Sequence, residues 1–315
     1  MEKGDVFFRL VEDFLLGLFY LTRLLTYVLP ARTLYSIFDA IGAALYYARP
    51  RVRRDLVSKI SDAMPEISDP RELERIARKA YVGMFVPVLD ELLFSRYGER
   101  FMREMIVEGM ENWDRGDAEG HGLIILATHL GAAPLIHAIM ARKGREYSPM
   151  VWHPDTTPVP RYTQKMSDLG ESLGCDPERP VFWAGPGIDV ITQVREHLAR
   201  GKRMGMTVDV IGKRPLMLFG RPAALADGIA HFAIDSGAPI VPVMLTRTDC
   251  TFVLRLTIDE PLSYELTGDR KKDVAAIMVE VAKAAERQIR RAPEQWMSWF
   301  GLWRWWDKAR ELEGK

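Results

Sequence analysis

Residues 122–134, GLIILATHLGAAP, run five apolar side chains straight into Thr128 and His129, then into a small-residue turn ending on Pro134. A short apolar run bounded by glycines reads as a strand buried on both faces, the kind that parallel sheets contain. Similar runs recur at 147–152 (YSPMVW), 203–210 (RMGMTVDV) and 238–245 (APIVPVML), and a last strand pair includes 251–258 (TFVLRLTI). Helical periods fill 133–142, 188–200 and 227–236 between them, and 271–291 form a long amphipathic helix. Alternation of strand and helix predicts an α/β fold with a mixed, largely parallel sheet flanked by helices. Ligands of such sheets gather beyond the carboxyl ends of the strands. His129 stands at such an end, and Gly131 follows, where backbone can approach a substrate closely.

The 315 residues suffice for a large buried core. Apolar residues make up 48% and mean hydropathy is −0.10, which fits a globular chain. The 43 basic and 43 acidic residues balance to a formal charge of +0, which argues against a nucleic-acid partner. Two cysteines, Cys175 and Cys250, exclude a disulfide framework and a cysteine-based zinc site, and suit a reducing cytosol. The start, MEKGDVFFRL, lacks the pattern of a signal peptide, and no uninterrupted apolar run reaches the roughly 18–20 residues of a spanning helix.

Residues 6–29 are strongly apolar but carry Arg9, Glu12, Asp13 and Arg23. On a helical wheel these four charges fall within an arc of about 100°. Phe7, Phe14, Leu15, Leu18, Phe19, Leu21, Leu25 and Val28 occupy the rest. A wide apolar face with a narrow charged stripe suits a helix lying in a bilayer interface, and equally a helix packed on the domain's own core. Pro30 ends it, and a second apolar helix covers about 34–47. Arg49, Arg51, Arg53 and Arg54 follow at once, where anionic headgroups would attract them. At the other end five of the eight tryptophans fall within the eleven residues 296–306, a clustering typical of interfaces. A helix is expected over 69–94, with Asp69 as its cap and Pro70 in its first turn. The chain thus divides into N-terminal membrane-associating helices (1–50) and an α/β domain (51–315).

Five stretches in order resemble the bacterial lipid A biosynthesis acyltransferases of the lysophospholipid acyltransferase superfamily. They are RVRRDLVSKISDAMPEIS (51–68), GLIILATHLG (122–131), VREHLARGKRMGMTVDV (194–210), LMLFGRPAALADGIAHFAIDSGAPIVPVMLTR (216–247) and RRAPEQWMSWFGLWRWW (290–306). The resemblance implies an enzyme that moves a fatty acyl group from an acyl carrier protein or coenzyme A thioester to a hydroxyl or amine of a lipid or glycolipid. It further implies attachment, peripheral or monotopic, to the cytoplasmic face of the bacterial inner membrane, and no cofactor or metal. His129 would be the general base, with a backbone N–H near Gly131 meeting the oxyanion. Asp209 matches the family's strand-closing acid, and Arg221 a position near the substrate headgroup. His153, where relatives often carry an arginine one strand on, is a further substrate-binding candidate.

One departure stands out. The family places an Asp or Glu five residues after the histidine to orient it, and here that position is Pro134, which cannot hydrogen-bond an imidazole. Three accounts stay open. Asp209 or another acid reaches His129 in space; His129 works unsupported and slowly; or the chain has become a lipid- or acyl-binding protein. A G-x-S-x-G match at 170–174, centred on Ser172, follows a polar, helix-like lead-in where a nucleophile elbow needs a buried strand, and reads as chance.

Overall fold

The computed structural model describes residues 3–314, with side chains described from residue 7 onward. Helices α1 (Lys3–Val28), α2 (Ala31–Tyr47), α3 (Pro50–Ala63), α4 (Pro70–Gly83) and α5 (Val86–Glu104) come first. The single helix expected over 69–94 is broken between α4 and α5. Pro87 lacks an N–H, and in a continuous helix its ring would meet the Gly83 carbonyl, so the chain restarts there. At the other end of α4, Asp69 accepts from the Arg71 N–H at 2.9 Å, as its position before Pro70 implies.

The remaining elements are β1 (Ile106–Glu108), α6 (Met110–Asp117), β2 (Leu123–Ala127), α7 (Ile136–Arg142), β3 (Ser148–Trp152), α8 (Pro160–Leu173), β4 (Phe182–Ala184), α9 (Val190–Ala199) and β5 (Arg203–Thr207). They continue with β6 (Ile211–Leu218), β7 (Arg221–Leu225), α10 (Gly228–Ser236), β8 (Ile240–Arg247), β9 (Leu254–Ile258), α11 (Arg270–Arg291) and α12 (Leu302–Glu313). The main sheet has the order β1-β9-β8-β2-β5-β3-β4, parallel throughout except where β8 meets β9. This is the expected largely parallel α/β sheet. Its central strand β2 is buried along its whole length. Leu123, Ile125 and Ala127 join one core with α5 and α7, while Ile124 and Leu126 join another with α9, α10 and α11. The two-residue alternation of a strand therefore fills both faces.

Register places the site. Ala127 of β2 lies opposite Thr207 of the parallel neighbour β5. Two residues further along each strand come His129 and Asp209, which emerge side by side. The loop after His129 is equally constrained. Gly131 has φ +62°, and a Cβ there would lie 2.2 Å from the Leu245 carbonyl oxygen, so only glycine fits.

β6 and β7 form a separate antiparallel hairpin absent from the sequence expectation. Its two turn residues, Phe219 (φ 54°) and Gly220 (φ 69°), both have positive φ, as a tight hairpin turn demands. The Phe219 ring stacks on Trp299 with centroids 5.8 Å apart, and its N–H donates to Glu286. The C-terminal tryptophans are thus largely core, correcting the interface reading. Trp296 and Trp299 are fully buried, Trp305 nearly so, and Trp303 is exposed. The basic cluster is also partly engaged: Arg53 pairs with Glu74 at 2.7 Å, and Arg49 donates to the Tyr81 hydroxyl.

Helix α1 packs against α5 and α8, and of its four stripe charges only Glu12 is turned inward, while Arg9, Asp13 and Arg23 stay exposed. Glu12, Phe19, Thr22 and Thr26, at helical spacing, are buried, whereas Phe7, Leu10, Phe14, Leu18, Leu21, Leu24 and Val28 are exposed. Glu12 is not a solvated charge. Its carboxylate accepts from the Arg161 and Tyr162 backbone N–H groups at 2.5 and 3.3 Å and from Arg161 Nε at 2.6 Å. The first turn of α8 is therefore capped by a residue of α1. Burial would raise the Glu12 carboxyl's pKa, but these donors hold it below the usual range. Among the described residues no helix is long and apolar enough to cross a membrane. Replacing Glu12 by alanine is expected to speed hydrogen exchange at the Arg161 and Tyr162 amides by roughly fivefold, as loss of a helix cap does. Unchanged exchange would show that α8 does not depend on α1.

Candidate active site

The carboxylate of Asp209, in the loop between β5 and β6, is only 2% exposed. Oδ1 accepts from His129 Nδ1 at 2.9 Å, and both oxygens receive the His129 backbone N–H at 3.0–3.1 Å. Oδ2 also accepts from Trp296 Nε1 at 2.8 Å and from Ser298 Oγ at 3.1 Å. Trp296 and Ser298 come from the turns after α11, held in place by a bridge between Leu130 and Trp296 and by the Met297 N–H donating to the His129 carbonyl. Burial penalises the Asp209 charge, yet the imidazole and the surrounding donors outweigh it, leaving the pKa below the ordinary carboxylate value.

An ionised Asp209 requires the hydrogen of a neutral His129 to sit on Nδ1, so Nε2 carries the lone pair. Nε2 lies 3.5 Å from the Thr207 hydroxyl. Burial disfavours the imidazolium, but the charge and hydrogen bond of Asp209 more than offset this, and the His129 pKa is raised. The side chain is 42% exposed and stands in the wall of a cavity of about 610 Å³. That volume falls within the range of roughly 300–1,000 Å³ typical of small-molecule sites. The wall is mostly apolar, with Ile125, Ile136, Met150, Trp183, Met206 and Phe232 among its residues.

Pro134 lies in a 3-10 turn at Ala133–Leu135 and also lines this cavity. The position five residues after His129 is therefore near the chamber, but the carboxylate touching the imidazole arrives from β5. The Gly131 N–H is unavailable to a ligand, since it donates to the Gln295 carbonyl at 3.0 Å. The N–H groups of Leu130, Ala132 and Ala133 are likewise bonded within the protein. Closing the loop against β8 and the C-terminal turns thus engages these amides.

His153 caps the 3-10 turn at Pro154–Thr156, accepting from the Asp155 N–H at 3.3 Å, and its ring meets Trp183 edge-on at 5.5 Å. Its neighbours Trp152 and Trp183 line the cavity; His153 is not among the lining residues. Arg221, at the start of β7, pairs with Asp62 at 3.0 Å and stacks over Trp306 at 4.3 Å, again outside the cavity wall. Of the residues singled out in the sequence, the structure brings together His129 and Asp209. Ser172 is an exposed residue of α8 whose hydroxyl bonds its own helix. Sequence reasoning missed Thr207, Trp296 and Ser298 as neighbours of the pair, and Glu91 and His137 in the cavity wall. Only the PEQWMSW stretch carried a hint of these, and its spacing does not reveal that an indole points at Asp209.

No curated protein gives a significant match to the chain. The family model of the bacterial lipid A biosynthesis acyltransferases, in contrast, matches residues 2–305, nearly the whole length. With a histidine and a buried carboxylate paired at the edge of an apolar chamber, the chain belongs to the bacterial lipid A biosynthesis acyltransferase family and is an acyltransferase.

Proposed function

We propose that this acyltransferase moves a fatty acyl chain from an acyl carrier protein or coenzyme A thioester to a hydroxyl or amine of a lipid or glycolipid, with His129 as general base and Asp209 as the carboxylate that orients it. The observation that carries this is the Nε2 lone pair of His129 at the wall of an apolar cavity, with Asp209 2.9 Å behind it on Nδ1. The acyl chain occupies the cavity. Nε2 takes the acceptor's proton as its oxygen or nitrogen attacks the thioester carbonyl. Asp209 stabilises the imidazolium that forms. The tetrahedral intermediate collapses, the C–S bond breaks, and the imidazolium returns its proton to the thiolate. The Thr207 hydroxyl, beside Nε2 and in the cavity wall, is placed to donate to the developing oxyanion. These steps call for no metal or cofactor.

The outward apolar face of α1 supports attachment to the cytoplasmic face of the inner membrane. Contiguous exposed apolar surface of this kind marks a contact site, and a lipid surface suits a helix whose two acids, Glu12 and Asp13, already pair with Arg161 of α8. Exposed Ile41 and Tyr47 of α2 extend the apolar surface.

The test is acyl transfer from labelled thioesters to a bacterial lipid extract. His129→Ala is expected to lower turnover by roughly 10²–10⁴-fold, and Asp209→Asn by about 10⁴-fold where the fold persists. Pro134→Glu is expected to give no gain over wild type, because Nδ1 already has its carboxylate. Wild-type binding of acyl chains without turnover, and a gain in Pro134→Glu, would instead establish a lipid-binding protein.

The pH profile has a fixed sign. The base works only when neutral and its folded pKa is raised, so turnover climbs with pH and reaches half its plateau above the ordinary histidine value of about 6.5. Stability runs the other way: the raised His129 pKa contributes fully below about pH 6.5 and less as pH rises through the higher folded value, while the Asp209 contribution is lost only in acid, as pH falls through its lowered value. Rate profiles of wild type and Asp209→Asn check this, the variant's limb moving to lower pH. An unmoved limb would assign the titration to another group.

A further inference from the structure

We propose that Glu91 reads a hydroxyl group carried on the acyl chain that fills the cavity, so that oxygenated chains are favoured over plain ones. This rests on the cavity holding an acyl chain, as proposed above. Glu91 lies on α5, is only 7% exposed and stands in the wall of the same chamber as His129. Its Oε2 is buried and has no hydrogen-bond partner. Three other polar side chains of that wall are engaged within the protein. His137 Nε2 donates to the Gly170 carbonyl at 3.0 Å, Thr163 Oγ to the Val159 carbonyl at 3.1 Å, and Ser167 Oγ to Glu171 at 3.3 Å.

The neighbouring acid sharpens the contrast. Asp90 is also buried, but its carboxylate accepts from the Tyr35 hydroxyl at 2.6 Å and from Arg247 Nε at 2.7 Å. Arg247 is committed to Asp90 and to the Gly131 carbonyl, and among the described residues Glu91 has no ion pair. Burial first, and the Asp90 charge second, push the Glu91 carboxyl up to about 8, so at neutral pH it is mostly a neutral acid with an O–H to give. A saturated hydrocarbon offers this group nothing, and an orphaned polar atom in an apolar wall is unfavourable. A hydroxyl on the chain gives this acid the polar partner that a saturated chain lacks. A neutral partner also suits a neutral carboxyl better than an amine or a cation would.

The experiment is displacement of a fluorescent fatty acid from the full-length protein by palmitate and by a panel of monohydroxylated palmitates, for wild type, Glu91→Leu and Glu91→Gln. The readout is the affinity ratio of each hydroxylated chain to palmitate, compared between variants so that differences in partitioning cancel. For at least one regioisomer the ratio is expected to fall roughly tenfold in Glu91→Leu, the worth of one hydrogen bond in a buried site, while the amide of Glu91→Gln retains most of it. Thermal melting confirms that each variant is folded. If palmitate displaces the probe but the ratios do not change in Glu91→Leu, Glu91 does not read the chain and the proposal is overturned, while the acyl cavity stands. If no fatty acid displaces the probe from wild type, the acyl assignment of the cavity falls and this proposal with it.

Discussion

A carboxylate removed from water must be surrounded by donors, and Asp209 has drawn four of them from two other parts of the chain. His129 gives a backbone N–H and a ring N–H, Trp296 an indole and Ser298 a hydroxyl. The same oxygens that hold the imidazole in one tautomer therefore lock the end of β2, the end of β5 and the C-terminal turns together. Trp296 is wedged in turn among Trp299, Trp305 and Phe219, which fixes the β6–β7 hairpin. Fold and site share one charge, so the geometry of His129 follows from the closure of the core.

The register of two parallel strands explains why a distant acid can stand in for a missing one. Ala127 and Thr207 are partners, and both strands stop there, so the second residue beyond each reaches the same place. Five residues after His129 the chain has entered a 3-10 turn, where proline is at home in the first positions. The amides of that loop are spent on closing it, which moves the proposed stabilisation of negative charge to side chains such as Thr207. On the opposite side the chamber leans on α8, whose first turn is capped by Glu12 of α1. The helix with the outward apolar face is thus bonded directly to the wall behind which an acyl chain is proposed to lie.

Much of the fold was legible in residue pattern. The apolar runs at 122–128, 203–210 and 238–245 are sheet strands, and the helices expected at 188–200, 227–236 and 271–291 are present within a residue or two of the expected ends. The cap at Asp69 was readable because a side chain two residues from its partner acts locally; Asp189 and Asp269 cap their helices in the same local way. The β6–β7 hairpin was not, since its strands alternate poorly, contain Pro215 and turn on a phenylalanine at positive φ. The tryptophan cluster misled because composition cannot distinguish a ring that faces lipid from one that faces another ring.

The sequence by itself determined the α/β class, the strand-end position of His129, the family, and the absence of an acid at Pro134, because periodicity and motif order are properties of the chain read along its length. Tertiary structure alone decided which carboxylate meets the imidazole, which face of α1 turns outward and that Glu91, with a buried oxygen unmatched, stands in the wall of an apolar chamber. Each of these depends on strand register or on the packing of helices far apart in the chain, and hydrogen bonds spanning 80 residues leave no trace in local spacing.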